Sequence, residues 1–121
     1  MGDVRRIPVT ADNVWFLRKQ INLFDILDFF PEDALGAPVE ADNGTLPSPV
    51  RYLTIDTDAG FSFETDIPRD KFIFRQQART RPGTGKWAED RDLRPGDTVC
   101  IEKLGDHHFY LYKEAGSGGN T

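Results

Sequence analysis

Residues 70–81 read Asp70-Lys-Phe-Ile-Phe-Arg-Gln-Gln-Ala-Arg-Thr-Arg81. If this backbone is extended, successive side chains point to opposite faces, so Phe72 and Phe74 share one face. The opposite face then carries four long polar side chains: Arg75, Gln77, Arg79 and Arg81. Guanidinium and carboxamide groups have the paired donors and acceptors that match guanine and adenine edges in a DNA major groove. The stretch therefore predicts a strand that is anchored by aromatic rings and presents base-reading side chains.

Short strands are predicted on both sides of this stretch. The strand patterns cover residues 7–10, 20–24, 51–56, 61–67, 71–79, 98–104 and 109–113, with turns at residues 58–60, 93–97 and 105–106. A helical turn is predicted from Asn13, and short helices over residues 31–36 and 87–93, the second with Trp87 docked on the core. This pattern favours a mainly β (α+β) small barrel over a parallel α/β sheet.

Size and composition point to one domain. The 121 residues, 38% of them hydrophobic, suffice for one core but not comfortably for two. We expect a single domain over residues 1–115, with a Pro-rich connection at residues 37–49 and a flexible tail at residues 116–121. No run is long enough to span a bilayer, the N-terminus lacks the apolar core of a secretory signal, and the lone Cys100 has no internal disulfide partner. These features predict a cytoplasmic protein without a membrane partner.

Charge is strongly segregated along the chain. The net charge is −5, which by itself argues against a nucleic-acid partner. Residues 69–86, however, carry +5 and residues 5–20 carry +3, whereas residues 21–68 carry −9. If the two cationic stretches meet in space, a positive cleft can form on an acidic body, because salt screens each patch from the other charges. The alternative is that both stretches are ordinary solvated faces.

Several segments together resemble the B3-type DNA-binding pseudobarrel domains, particularly those of bacterial restriction endonucleases and more distantly those of plant transcription factors. The segments are Ile21-Asn-Leu23, Leu27-Asp-Phe-Phe-Pro-Glu-Asp-Ala-Leu-Gly36, Thr65-Asp-Ile67, Lys71-Phe-Ile-Phe-Arg75, Leu93-Arg-Pro-Gly-Asp-Thr-Val99 and Ile101-Glu102. They occur in the family's order and span residues 10–113. The resemblance implies a seven-stranded open pseudobarrel that grips the major groove with two arms, at residues 12–22 and 75–86. These arms overlap the two cationic stretches, although both depart from the family where bases would be chosen.

The candidate DNA-binding residues lie on these two arms. On the second arm, Arg75, Gln77, Arg79 and Arg81 would read bases and Lys86 would bind a phosphate; the alternative is a charged edge strand protected against aggregation. On the first arm, Arg18, Lys19, Gln20 and Asn22 would contact phosphates and bases; the alternative is a solvated helical face. We expect Trp15 in the core rather than in an interface.

Catalytic and cofactor sites are not expected. Residues 83–86 resemble the end of a phosphate-binding loop. However, the position of the motif's first glycine is occupied by Thr80, and that of its magnesium-binding Ser or Thr by Trp87. His107 and His108 have no nearby third ligand in sequence, so we expect a turn and no metal site. No cofactor and no small-molecule substrate are expected.

The sequence thus predicts a non-catalytic, sequence-specific module for double-stranded DNA. The resemblance implies the recognition or effector-binding domain of a restriction-modification type protein, with a parent nuclease domain or partner protein. One alternative is a protein-interaction or small-ligand barrel that has lost DNA binding and uses the acidic residues 21–68. A stand-alone nuclease is the third reading.

Overall fold

The computed structural model describes residues 3–36, 51–68, 71–75 and 83–115. This part of the chain is mainly β with short helices, as the sequence predicts. Its strands are β1 (Val4–Pro8), β2 (Leu35–Gly36), β3 (Leu53–Thr57), β4 (Ser62–Thr65), β5 (Ile67–Pro68), β6 (Thr98–Gly105) and β7 (His108–Glu114). Five of them form one sheet in the order β1-β6-β7-β3-β4, and β2 pairs separately with β5. The predicted connection at residues 37–49 and the tail at residues 116–121 lie outside the described residues.

The sheet is mixed because β3 runs parallel to β7, with Ile55 opposite Phe109, while its other pairs are antiparallel. Alternate side chains of β3 point into the core, among them Leu53 and Ile55, which are fully buried. β6 and β7 form the predicted hairpin, although β6 reaches Gly105. Among the described residues, no helix is both long and apolar enough to cross a membrane.

The turn at residues 93–97 forms as predicted. The backbone N–H of Asp97 donates to the carbonyl oxygen of Arg94 at 3.0 Å, and the Asp97 carboxylate accepts from the backbone N–H of Arg94 at 3.0 Å. Gly96 has φ +100°, a left-handed conformation that glycine adopts without a steric penalty. The local hydrogen bonds and this glycine together fix the entry into β6.

Both short α-helices lie close to their predicted positions. α1 (Val14–Leu17) follows a closed turn in which the Asn13 side chain accepts from the backbone N–H of Thr10 at 2.7 Å. α2 (Thr84–Asp90) begins three residues earlier than predicted. Trp87 docks on the core as expected: it is fully buried, and its indole N–H donates to Asp58 Oδ1 at 2.7 Å.

One predicted strand does not form, and one predicted helix is shorter than expected. Residues 20–24 form only an isolated bridge between Asn22 and Ile73, and the chain then enters a 3₁₀ segment over Phe24–Phe29 that is kinked at Ile26. The helix predicted over residues 31–36 is a 3₁₀ turn at Glu32–Ala34 followed by β2. The helix ends early because the backbone of β2 pairs in parallel with β5 instead of continuing to turn.

The predicted strand at residues 71–79 is also wrong over its described part, residues 71–75. Phe72 has φ +53°, which is rare for a bulky side chain, and its backbone N–H donates to the carbonyl oxygen of Pro68 at 2.9 Å. This hydrogen bond, between residues four positions apart, forms a turn and is not part of a β-ladder. As a result, the adjacent Ile73 and Phe74 are both buried, and the expected alternation does not hold here.

An aromatic cluster fills the core between the sheet and the 3₁₀ segment. Phe30 packs against Phe109 with ring centroids 4.8 Å apart and meets Phe74 edge to face at 5.7 Å. Phe29 also contacts Phe109, at 5.6 Å. Such pairs stabilise a fold beyond the area they bury, by about 0.5–1.5 kcal/mol each. Residues 29–30 are thereby fixed against β7. Phe74, just before the second arm, is held by Phe30.

Cys100 provides a first testable prediction. Its side chain is fully buried, and burial together with nearby Glu114 raises the pKa of the thiol to about 11. The folded state therefore favours the protonated thiol. The stability that this preference contributes is fully present below about pH 9 and is lost as the pH rises to about 11. We expect slow reaction of the folded chain with an aromatic disulfide reagent at neutral pH and fast reaction after denaturation. Equal rates in the two states would contradict this assignment.

Candidate nucleic-acid interface

The second cationic stretch contacts residues 22–24, at the end of the first arm and just after the first cationic stretch. The backbone N–H of Leu23 donates to the carbonyl oxygen of Phe72 at 2.7 Å, and Asn22 forms a bridge with Ile73. Phe24 meets Phe72 edge to face, with ring centroids 5.5 Å apart. Residues that are about fifty positions apart in sequence thus share one short antiparallel contact.

A second contact joins the end of α1 to the start of α2. A Cβ atom built on Gly85 would lie 3.6 Å from the carbonyl oxygen of Lys19 and 3.9 Å from that of Arg18, which is ordinary packing distance. The first turn of α2 therefore lies against the chain that leaves α1. We call residues 18–24, 71–75 and 83–86 the arm junction.

Arg18 is fixed at the arm junction by the carbonyl oxygen of Leu93. Its Nε and Nη2 donate to that oxygen at 3.1 and 2.8 Å, and Nη2 is 4.0 Å from Asp92 Oδ1. Arg18 also lines a groove of about 220 Å³ with Gly85, Ala88, Glu89 and Asp92. The pKa of the Asp92 carboxyl is lowered, chiefly by a hydrogen bond from Arg94. The groove therefore combines one guanidinium with two acidic side chains.

The other first-arm candidates differ in their exposure and in their hydrogen bonds. Lys19 is exposed, and no acid among the described residues lies within ion-pair distance of it. Gln20 is half-buried. Asn22 is exposed, and its Oδ1 accepts from the backbone N–H of Phe24 at 2.9 Å. Lys19 is thus the first-arm cation best placed to bind an external anion.

Arg75 and Asp66 form an ion pair at the root of the second arm. Arg75 Nε and Nη2 donate to the two carboxylate oxygens of Asp66 at 2.7 and 2.9 Å. The side chain of Asp66 is 3% exposed and that of Arg75 is 19% exposed. The backbone N–H of Arg75 also donates to the carbonyl oxygen of Asp66, at 3.0 Å. The sequence indicated a base-reading role for Arg75, and the structure adds a bidentate role in holding the chain at residue 75.

Gly36 makes room for this ion pair. A Cβ atom at Gly36 would lie 1.8 Å from Asp66 Oδ2 and 3.3 Å from Arg75 Nη2, so any larger residue would displace the carboxylate. The pairing of β2 with β5 brings Gly36 to this position. The sequence suggested Gly36 only as the end of a helix and indicated no role for Asp66. The available signal was an acid between Thr65 and Ile67, which are both buried.

Lys86 lies on α2 rather than in a loop. Its Nζ is 2.8 Å from Asp90 Oδ1, one helical turn away, and the side chain is 53% exposed. The hydrogen bond from Lys86 to Asp90 raises the pKa of the lysine ammonium. An exposed pair of this kind is weak, so a phosphate could take the place of the carboxylate.

Three candidates, Gln77, Arg79 and Arg81, fall within residues 76–82, outside the described residues. The structure fixes the two ends of that segment. Arg75 leads into it from the ion pair with Asp66, and Gly83 leads out of it into α2. Their base-reading role stays a prediction.

The prediction that Trp15 lies in the core is wrong. Its side chain is 63% exposed, whereas Leu17 of the same helix is buried. The indole N–H donates to the carbonyl oxygen of Asp12 at 2.8 Å, so the polar end of the ring is satisfied without burial. Because α1 is only four residues long, it buries one side chain and leaves Trp15 on the surface.

The two histidines bind carboxylates at the β6–β7 turn. His107 Nε2 is 2.7 Å from Asp33 Oδ1, and His108 Nε2 is 2.6 Å from Asp56 Oδ2. Hydrogen bonds from Ser62 and then His108 lower the pKa of the Asp56 carboxyl. Within the described ranges, no group of three or more His, Cys, Asp or Glu side chains is arranged to hold a metal ion.

Comparison with known proteins identifies a shared fold. No protein-family model matches the chain, and no curated protein matches it. The solved structure of a hypothetical Arabidopsis thaliana protein is similar to it, with a TM-score of 0.55 and 13% sequence identity. The match covers 97% of this chain and 94% of that one. At this identity the likeness shows a common fold and carries no information on activity.

Proposed function

We propose that the chain is a non-catalytic module that binds double-stranded DNA in a sequence-specific manner through the major groove. In this proposal the fold is a seven-stranded B3-type pseudobarrel, and the module serves as the recognition or effector-binding domain of a restriction-modification type protein. No cofactor takes part. A parent nuclease domain or a partner protein would use the bound module.

The observation that carries the proposal is the arm junction. Residues 5–20 and 69–86 are cationic and are separated by a segment of net charge −9, yet Gly85 lies against Lys19. Leu23, three residues after the first stretch, also shares a hydrogen bond with Phe72. A rigid β scaffold that holds two cationic segments side by side suits a ligand with closely spaced phosphates.

The candidate residues then divide into three roles. Lys19 and Lys86 would neutralise phosphates, because both are exposed on the arm junction. Gln77, Arg79 and Arg81 would read base edges, with Gln20, Asn22 and Arg18 supporting them from the first arm. Arg75 would chiefly position the start of the second arm, since two of its guanidinium nitrogens donate to Asp66.

A protein-interaction or small-ligand barrel that has lost DNA binding is the second candidate. It is favoured by the pairing of Arg18, Arg75 and Lys86 with acceptors of the chain itself. Such a module would bind its partner through the acidic residues 21–68. Retention on heparin with steep elution by salt would favour DNA over this alternative.

Lys19 tests the electrostatic part of the proposal. A duplex selected from a random library with the purified chain serves as ligand, and fluorescence anisotropy measures its affinity at several salt concentrations. Lys19→Gln is expected to weaken the selected duplex and a random duplex equally and to reduce the salt slope by about 1. The matched control is Lys103→Gln, at a lysine on β6 outside both cationic stretches. It should change neither the duplex affinities nor the salt slope. Unchanged slopes with Lys19→Gln, or no duplex binding at all, would contradict the proposal.

A further inference from the structure

Trp15 is the most exposed large apolar side chain among the described residues, at 63%. Its orientation is nevertheless fixed, because the indole N–H donates to the carbonyl oxygen of Asp12 at 2.8 Å and the ring meets Phe16 edge to face at 5.8 Å. With its only donor already used, the indole can offer a ligand nothing but its apolar faces and edges. Any contact made by Trp15 is therefore apolar.

Trp15 and Lys19 lie on the same side of the first arm. Backbone hydrogen bonds of helical and 3₁₀ type continue past α1: the N–H groups of Arg18 and Gln20 donate to Val14 and Phe16 at 3.0 Å, and that of Lys19 donates to Phe16 at 2.9 Å. Side chains one turn apart on such a chain lie on the same side. An exposed ring and a lysine without an acidic partner among the described residues therefore lie about one turn apart on the first arm.

The combination of a cation with an exposed aromatic ring indicates the class of ligand. Nucleic acids offer phosphates to the cation and apolar base and sugar surfaces to the ring. An acidic protein partner would satisfy the lysine but gives no reason for the fixed indole. The positive charge of residues 5–20, +3 in total, is complementary to a polyanion.

We infer that Trp15 makes an apolar contact with DNA: its ring packs against deoxyribose and base edges beside the phosphate that Lys19 binds. This inference rests on the proposed function and adds to it a residue that reads no hydrogen-bonding pattern. Because the contact involves no charge, it contributes affinity without adding to the salt dependence. Thymine methyl groups are the base surfaces that suit it best.

The two tryptophans make the test selective. Trp15 is exposed and Trp87 is fully buried, so acrylamide quenches the first in the folded chain and spares the second. Trp15→Phe leaves Trp87 as the sole source of tryptophan fluorescence. The difference between the fluorescence of the two proteins is therefore the signal of Trp15. We expect the selected duplex to change that signal and to protect it from acrylamide, at the same concentration at which the anisotropy of the labelled duplex rises.

Affinity supplies the second readout. Trp15→Ala is expected to weaken the selected duplex about tenfold with an unchanged salt slope. Tyr52→Ala is the matched control, since Tyr52 is 49% exposed but lies outside both cationic stretches, and it should leave the affinity unchanged. Duplex binding with no change in Trp15 quenching would overturn this inference and leave the proposed function standing. Absence of duplex binding would overturn both.

Discussion

Replacing Asp66 with alanine is expected to lower the free energy of unfolding by about 3–5 kcal/mol, because it removes the buried carboxylate that accepts two hydrogen bonds from the Arg75 guanidinium. The two carboxylate oxygens of Asp66 accept from Arg75 at 2.7 and 2.9 Å, in a site where the acid is 3% exposed. Domains of this size are stable by only about 5–15 kcal/mol. Denaturation by urea, followed by circular dichroism, measures the loss.

The exposed pair of Lys86 with Asp90 is the control for this change. Asp90→Ala removes an ion pair of similar length, 2.8 Å, but on a solvated helix surface. It should therefore cost less than about 0.5 kcal/mol. Similar losses for Asp66→Ala and Asp90→Ala would show that the buried pair has no special role.

A paired replacement keeps the experiment informative if Asp66→Ala does not fold. Asp66→Ala combined with Arg75→Met removes both charges and should recover much of the lost stability. The same protein separates folding from binding. If Arg75 contributes only to stability, duplex affinity returns together with stability; if Arg75 positions the second arm or reads a base, affinity for the selected duplex stays low while the fold recovers.

Replacing Arg79 with alanine is expected to weaken the selected duplex by about 1–3 kcal/mol, or about 5- to 150-fold, and a random duplex only slightly. A bidentate contact with guanine carries sequence information, whereas contacts with phosphates are shared by every duplex. Gln77→Ala should act in the same direction at an adenine. Anisotropy with both duplexes at one salt concentration measures the difference.

The control for Arg79 is Arg94, which donates to Asp92 near the groove but belongs to neither cationic stretch. Arg94→Ala removes the same charge and should weaken neither duplex. Equal losses on selected and random duplexes with Arg79→Ala would refute base reading and leave phosphate binding as its role.

The parts of the fold that the sequence predicted are those with local causes. The turn before β6 needs only the hydrogen bonds between Arg94 and Asp97 and a glycine with positive φ. The turn between Gly105 and His108 closes the hairpin of β6 and β7, and β7 buries the alternate side chains Phe109 and Leu111. Each of these signals is complete within a few residues of sequence.

The parts that the sequence missed depend on distant partners. Residues 31–36 end in a strand because β5 supplies a pairing edge for them. The extended pattern at residues 71–75 is interrupted at Phe72, whose N–H and C=O are engaged by Pro68 and Leu23 respectively. No periodicity within the segment reports either partner.

The sequence predicted which cationic residues belong to the candidate site but not how they are arranged in space. Charge segregation located both stretches, and the structure brings them together where Gly85 packs against Lys19. The hydrogen bond of Leu23 with Phe72 joins the second stretch to the chain just after the first. It also pairs Arg75 with Asp66 and exposes Trp15. These two features could not be read in advance, because they depend on a turn and on the short length of α1.

The central claim is that both cationic stretches bind one DNA duplex together. An NMR titration of the ¹⁵N-labelled chain with the selected duplex tests it most directly, with every assigned backbone amide as a probe. We expect the amide signals of residues 12–22 and of residues 71–86 to shift together along one binding curve, while those of residues 53–65 do not shift. Shifts confined to a single stretch, or to the acidic residues 53–65, would contradict it.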